Sequence, residues 1–406
     1  EARMSGAVSP PVAGLVYVGA NGNIFTLVPG AGRTRQLTWN WEEDGTNRED
    51  AARLIHAWPA WSRDGSRVAY FGWRETAEPA LGASLYVVTA DGVESWELAG
   101  LAGGMPIYGN WAPGADTFAA LIQRGERHLS LEIASLAQPG KTTALVGGAP
   151  LFWSWSPRGD RLAAHVGGTR QGRAGARVLV LDAASGQVVR EVSDRPGDFR
   201  VPAWSPQDDL LAYVEQGADG SGTLFLYDVN TGEKGPVAVT NGATAALWSA
   251  DGRFLAFATT TRPGALLFSQ IRILDLSTGR ISSVLNEAVT GFFWSSHGDT
   301  LLYLTVDAQR SHLRWHRLSR ESGETSELVR FLPSREQTFI LSFFDQYAGS
   351  HPPLAPDGTA LTFAGYLVGA NPLDTTTPSQ IYLLPLDRPD APRPVAPGQF
   401  VCWNPA

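Results

Sequence analysis

Residues 343–351, Phe-Phe-Asp-Gln-Tyr-Ala-Gly-Ser-His, combine stacking surfaces with directional hydrogen-bonding groups. Three aromatic rings lie beside a carboxylate, an amide, a hydroxyl and an imidazole. Such a mixture suits recognition of a sugar, a peptide or a partner's side chain, because rings stack while polar groups set the orientation. The rings could instead fold inward and plug a channel, because large exposed apolar patches are uncommon unless they bind something. The segment is therefore a candidate recognition site or a candidate plug.

Two histidines, His56 and His351, are the candidate ligands for a metal ion. Two imidazoles do not make a metal site alone, so Asp345 or Glu42 would have to converge with them. Such a centre would suit a metal-assisted lyase or hydrolase acting on polysaccharide. The sequence contains no complete set of catalytic residues, and both histidines also fit hydrogen-bonded loop positions. We therefore predict no catalytic residue, no metal ligand and no cofactor, and we keep the enzyme as the alternative.

The composition argues against several classes of partner and site. The formal net charge is -8, which argues against a nucleic-acid or anionic-membrane surface. No apolar run approaches the ~20 residues that span a bilayer, so we expect no transmembrane segment. Cys402 is the single cysteine, which excludes an intramolecular disulfide and a cysteine-cluster metal site. We expect a bacterial protein in the periplasm or outside the cell, with a cytoplasmic location left open and any signal peptide already removed.

A repeated phrase organises the whole chain. Trp is followed by Ser or Ala and then by a turn rich in Pro, Asp and Gly, which preset the backbone for a tight reversal. Successive copies lie roughly 44 to 60 residues apart, close to the period of a four-stranded propeller blade. The copies are Pro59–Gly65, Gly109–Gly114, Trp153–Gly159, Pro202–Asp208, Ala246–Gly252, Phe292–Gly298, Pro352–Gly358 and the truncated Val401–Ala406.

Short strands rich in β-branched and aromatic residues flank each copy, so we predict an all-β chain. Seven copies are complete, and the last copy supplies only one strand. The three missing strands are Gly14–Val18, Asn23–Val28 and Arg35–Trp39 at the other end of the chain. We therefore predict a single domain over residues 1–406: an eight-bladed β-propeller closed by pairing of N-terminal strands with the C-terminal strand. Residues 1–13 would be a loose segment, the eighth blade would combine 14–39 with 398–406, and seven blades is the competing count.

The Trp-Ser-Pro-Asp-Gly phrase, followed by Leu-Ala-Tyr or Leu-Ala-Phe, resembles the WD-repeat-like repeat of TolB and of prolyl oligopeptidase propellers. The resemblance covers almost the whole chain and implies a propeller fold, but this fold serves many functions. TolB-type proteins pair six blades with an α/β domain, and prolyl oligopeptidases add a hydrolase domain with a Gly-x-Ser-x-Gly elbow. The sequence shows neither feature, so neither specific role is carried over.

In this repeat family, the residue three positions before the Trp points toward one mouth of the central channel. Long connections, 40–55, 73–83, 332–348 and 368–379, are expected around the same mouth, where insertions in repeat proteins often bind. One half of the mouth is aromatic, whereas Val201, Ala245 and Gly291 make the other half small. The candidate binding residues are His56, Trp58, Tyr108, Phe152, Phe344, Asp345, Tyr347, His351 and Phe400.

These residues lead to one predicted function and two alternatives. We expect a non-catalytic binding or scaffold protein that holds a protein partner or a glycan at the aromatic half of the mouth. The first alternative is the metal-assisted lyase or hydrolase acting in the same cleft. The second alternative is a subunit of a larger envelope assembly that uses the edge of the propeller.

Overall fold

The computed structural model describes residues 14–40, 53–75, 82–126, 128–168, 175–207, 209–217, 220–262, 264–307, 312–368, 378–389 and 391–405. The predicted loose segment 1–13, and most of the long connections other than 332–348, lie outside these residues. Strands make up nearly all the regular structure, in agreement with the predicted all-β class. The first fifteen are β1 (Leu15–Gly19), β2 (Ile24–Val28), β3 (Arg33–Gln36), β4 (Leu54–Trp61), β5 (Arg67–Arg74), β6 (Ser84–Thr89), β7 (Ser95–Gly100), β8 (Met105–Trp111), β9 (Thr117–Gln123), β10 (Leu129–Ser135), β11 (Gln138–Gly147), β12 (Leu151–Trp155), β13 (Arg161–Val166), β14 (Arg177–Asp182) and β15 (Val188–Ser193).

The second half of the chain continues the pattern. The strands are β16 (Ala203–Trp204), β17 (Leu210–Gln216), β18 (Gly222–Asp228), β19 (Lys234–Thr240), β20 (Thr244–Trp248), β21 (Phe254–Thr260), β22 (Phe268–Asp275), β23 (Arg280–Leu285), β24 (Gly291–Trp294), β25 (Thr300–Asp307), β26 (His312–Ser319), β27 (Thr325–Pro333), β28 (Ala360–Leu367), β29 (Gln380–Pro385) and β30 (Arg393–Trp403). The helices in the described residues are a 3-10 turn at Pro29–Ala31, α1 (Arg335–Ser342) and α2 (Phe344–Tyr347). Neither α-helix has the length and apolarity required to cross a bilayer.

Four antiparallel strands form the repeating unit. β12 to β15 make one separate sheet, as do β16 to β19 and β20 to β23, with each strand paired to its neighbour in the chain. β4 lies against β8, β12 against β16, and β16 against β20, so the first strands of successive units adjoin. Besides these three sheets, β4 to β11 join into one eight-stranded sheet, and β24 to β30 join with β1 to β3 into one ten-stranded sheet. α2 contacts β12, β20 and β24, so the first strands of several units face a shared central space.

A Ser that follows the repeated Trp stabilises the tight turn in several units, whereas Ala112 and Ala355 occupy this position in two others. Ser156 Oγ accepts a hydrogen bond from the Arg161 backbone N–H at 3.1 Å and donates to Asp160 Oδ1 at 2.8 Å. Ser249 repeats the arrangement, accepting from the Phe254 N–H at 2.9 Å. One hydroxyl therefore satisfies a backbone donor across the turn while a carboxylate orients it.

The Trp side chains join neighbouring units. Trp111 Nε1 donates to the carbonyl oxygen of Ala60 at 3.1 Å, the residue before the Trp of the preceding unit. Trp248 and Trp294 repeat this bond to the carbonyls of Ala203 and Leu247, at 3.0 and 2.9 Å. The indole thus supplies apolar area and a directional bond at these three junctions. Trp61, Trp204 and Trp403 are also buried, but within the described residues their Nε1 atoms have no hydrogen-bond partner, so their contribution is packing.

The two ends of the chain are hydrogen-bonded to each other. β30 pairs with β29 through its first half, Arg393 to Pro397, and with β1 through its second half. In the second pairing Leu15 lies opposite Trp403 and Val18 opposite Phe400. One strand therefore serves two neighbouring groups of strands.

Candidate functional site

A helical insert between β27 and β28 occupies one end of the central space. Ser334 is the N-cap of α1, because its Oγ accepts a hydrogen bond from the Gln337 backbone N–H at 3.1 Å. Gln337 Oε1 also accepts from the Ala364 N–H of β28 at 3.3 Å. The Phe343 N–H bonds the Ile340 carbonyl and ends α1, and α2 follows directly. The sequence at this point therefore folds as two short helices anchored to the sheet.

Phe344 fills the half of the mouth that small residues leave open. Its ring centroid lies 5.0 Å from that of Phe292 and 5.8 Å from that of Phe268, and its side chain is fully buried. A Cβ added at Gly291 would lie 3.1 Å from this ring. Ala245 belongs to the same buried cluster. The space that the small residues leave at the mouth is therefore filled by the Phe344 side chain of the insert.

Gln346 binds the first strand of another unit as a paired strand would. Its Oε1 accepts from the Trp153 backbone N–H at 3.0 Å, and its Nε2 donates to the Trp153 carbonyl at 2.9 Å. Both bonds are buried, so breaking either would leave a polar group without a partner. The two bonds set the rotation and depth of α2.

Asp345 forms an ion pair beneath the insert. Arg200 Nη1 donates to Asp345 Oδ1 at 3.1 Å, and the guanidinium lies over the Phe268 ring at 5.0 Å. The side chain of Asp345 is 0% exposed, whereas that of Arg200 is 17% exposed. In the described part of the chain, the second oxygen, Asp345 Oδ2, has no hydrogen-bond partner.

Tyr108, Ser350 and His351 form a buried polar chain. Ser350 Oγ lies 2.7 Å from the Tyr108 hydroxyl and 2.8 Å from His351 Nδ1. Burial lowers the pKa of His351 to about 3 and raises the pKa of Tyr108 to about 12. Both groups are neutral near pH 7. These three hydrogen-bonded residues therefore have the properties of a buried structural network and not of an acid–base pair. Phe400 covers it, with its ring 5.6 Å from His351.

His56 lies in different surroundings from His351. Its Nε2 is 3.1 Å from the Trp39 carbonyl, its ring packs edge-on to Tyr70 at 5.6 Å, and burial lowers its pKa. Glu42, the other proposed ligand, lies outside the described residues. Across the residues that are described, no group of three or more His, Cys, Asp or Glu side chains could hold a metal ion.

Partly exposed rings from the insert and from neighbouring parts of the propeller form a continuous row. We call them the aromatic stripe: Trp58, Phe339, Phe343, Phe152 and Phe199. Successive ring centroids in this order lie 5.3, 5.3, 5.6 and 4.3 Å apart. Phe339 is 36% exposed, and the other four are half-buried.

The structure thus divides the predicted site residues into three groups. Trp58 and Phe152 belong to the aromatic stripe, and His56 lies apart. The buried members are Tyr108, Phe344, Asp345, Tyr347, His351 and Phe400. Sequence reasoning missed Phe339 and Phe199. Phe339 precedes Phe343 by four residues, the spacing of one helical face, which could have identified it.

A cavity of ≈ 530 Å³ lies on the other side of the insert. Its walls come from the Trp-Ser-Pro segments of successive units, and Asp345, Gln346 and Ser350 contribute to its floor. Along the chain, the insert precedes the innermost segment of its unit, which lies around Leu354. The Trp-Ser-Pro turns instead follow the innermost strands of their units. The two features therefore occupy opposite ends of the central space.

Comparison with known proteins supports the fold alone. No protein-family description and no curated protein sequence matches the chain. A prolyl endopeptidase structure aligns over 94% of this chain and 54% of its own, with 13% identity and a TM-score of 0.52, so the chain spans about half its length. Oligogalacturonate lyase in complex with manganese aligns over 95% and 85%, with 14% identity and a TM-score of 0.49. TolB from Acinetobacter baumannii aligns over 95% and 79%, with 12% identity and a TM-score of 0.44. The chain is therefore similar in fold to β-propeller proteins.

Proposed function

We propose that this chain is a non-catalytic β-propeller that binds a protein partner or a glycan. One observation carries the proposal: the aromatic stripe runs as neighbouring, partly exposed rings across the insert. Rings offer a large contact area at low conformational cost, and their faces suit both sugar rings and apolar side chains. The stripe includes Trp58 and Phe152, which were among the residues expected at the mouth.

The buried residues under the stripe support this role by making the surface rigid. Gln346 is bonded to Trp153, Asp345 to Arg200, and Ser350 to Tyr108. A surface held in place before binding loses little conformational freedom when the partner arrives. Tyr347, Tyr108, His351 and Phe400 are then supports of the binding surface and not contacts with the ligand.

We propose further that residues 1–406 form one closed domain of eight blades. The pairing of β30 with both β29 and β1 supports a blade shared by the two chain ends. Seven further units each contain one Trp-turn phrase or its Leu354 variant. We also propose an exported location, and we keep membership of an envelope assembly through the propeller edge as the alternative function. Cell fractionation and sizing of the native protein from its source test both.

Arrays of defined oligosaccharides and of defined peptides test the aromatic stripe. We expect Phe339→Ser and Phe152→Ser each to weaken the observed binding at least tenfold while the circular dichroism spectrum is retained. Val239→Ser is the matched control, since Val239 is 66% exposed on an outer strand. Absence of binding to both arrays, or binding that survives both stripe substitutions, would reject the aromatic stripe as the contact surface.

A further inference from the structure

The cavity on the side of the Trp-Ser-Pro turns has the properties of a second binding site. Its volume of ≈ 530 Å³ lies within the range of pockets that hold small molecules. Indole rings and prolines from the repeated segments line it, including Trp111, Trp155 and Trp248. The cavity is thus an apolar, aromatic chamber closed at its inner end by α2.

Asp345 gives this chamber one polar anchor. Its side chain is 0% exposed and contributes to the floor of the cavity. Oδ1 is bonded to Arg200, while Oδ2 has no partner within the residues described. A buried carboxylate oxygen without a donor is costly, because water has been removed and nothing has replaced its hydrogen bond. A ligand in the cavity that donates a hydrogen bond to Asp345 Oδ2 would remove this cost.

We infer that this chamber binds a small organic ammonium ion whose N–H group donates to Asp345 Oδ2. A carboxylate accepts hydrogen bonds and favours a cationic donor. The indole rings of the lining attract cations and pack against apolar groups. They therefore favour an ammonium ion that carries a short hydrocarbon group. Among the described residues of the lining, the other charged side chain is Arg63, which belongs to the exposed Trp-Ser turn and not to the floor.

Binding in the chamber is independent of the aromatic stripe. The stripe lies on the outer surface of the insert, whereas the chamber is reached from the Trp-Ser-Pro turns. Phe339→Ser should leave ammonium binding unchanged. Failure of the proposed partner surface and failure of the chamber are therefore distinguishable in the same set of variants.

Isothermal titration with benzylammonium tests the chamber directly. We expect saturable binding of one equivalent, with benzyl alcohol and benzyltrimethylammonium each binding at least tenfold more weakly. The alcohol lacks the charge, and the quaternary ion lacks the N–H donor. Equal binding of the quaternary ion would overturn the role of Asp345 Oδ2, and absence of benzylammonium binding would overturn the site.

Two substitutions locate the binding. Asp345→Asn should weaken benzylammonium binding at least tenfold. If this variant unfolds because the Arg200 charge has lost its partner, the double variant Asp345→Asn with Arg200→Gln removes both charges and should show the same loss of binding. Ala250→Trp provides a second route, because Ala250 lines the cavity from an exposed turn and a large ring there should block entry. Unchanged affinity in Ala250→Trp would overturn the assignment even where neither floor variant folds.

Discussion

Phe344 and Phe339 lie five residues apart in the same insert, yet their surroundings give them different roles. Phe344 is fully buried among Phe268 and Phe292, whereas Phe339 is 36% exposed. We expect Phe344→Ala to lower the free energy of unfolding by about 3–5 kcal/mol, because a large cavity would remain. The matched control Phe339→Ala should change it by about 0.5 kcal/mol. Urea denaturation measures both, and equal losses would contradict the plug.

His351 predicts a dependence of stability on pH. Its pKa is about 3 in the folded chain and 6.5 when exposed, so the unfolded chain binds more protons between these values. Stability is therefore fully present above pH 6.5 and decreases as pH falls toward 3, by up to about 1.4 kcal/mol per pH unit for this group. His351→Gln should reduce this slope, whereas Val239→Ser, which removes no titratable group, should not. Urea denaturation across this pH range measures it, and parallel slopes would show that His351 is not the buried neutral group.

At the scale of elements, the insert and the first strands are complementary in size. A Cβ at Gly291 would lie 3.1 Å from the Phe344 ring, so a larger side chain there would press on this ring. We expect Gly291→Val to cost about 1–3 kcal/mol of unfolding free energy through overpacking. Phe344→Leu should be less costly in the Gly291→Val background than in the native chain. Urea denaturation measures the free energy of unfolding of each variant. If the changes caused by the two substitutions simply add in the double variant, the two positions are not in steric conflict.

The insert also shows where sequence reasoning reached its limit. Ser334 and Gln337 have the spacing of a helix N-cap, so the start of α1 could have been read locally. The position of α2 could not, because it depends on bonds between Gln346 and Trp153, which lie 193 residues apart. Such a contact is visible only after the strands have brought the two segments together.

At the scale of the whole molecule, the repeated phrase predicted the all-β class, because each copy carries its own turn and, except at Leu354, its own Trp. The repeated phrase did not, however, predict a cavity at the Trp-Ser-Pro turns. The predicted mouth is plugged by the insert, while the remaining cavity lies at the Trp-Ser-Pro turns, which local reasoning treats as structural. A repeat specifies a unit and its neighbours, and a channel belongs to all units together.

Closure of the molecule can be tested with its own cysteine. Val16 lies directly opposite Cys402 in the pairing of β1 with β30. Opposed residues in antiparallel strands have Cα atoms about 4.5–5.5 Å apart, a separation that a disulfide can bridge. We expect Val16→Cys to form a reducible cross-link on oxidation, seen as faster migration in non-reducing electrophoresis and as a higher denaturation midpoint. Tyr17→Cys is the matched control, because neighbouring side chains in a strand point to opposite faces. If a folded Val16→Cys variant keeps both thiols free under oxidant, the two chain ends are not paired and the closed ring is contradicted.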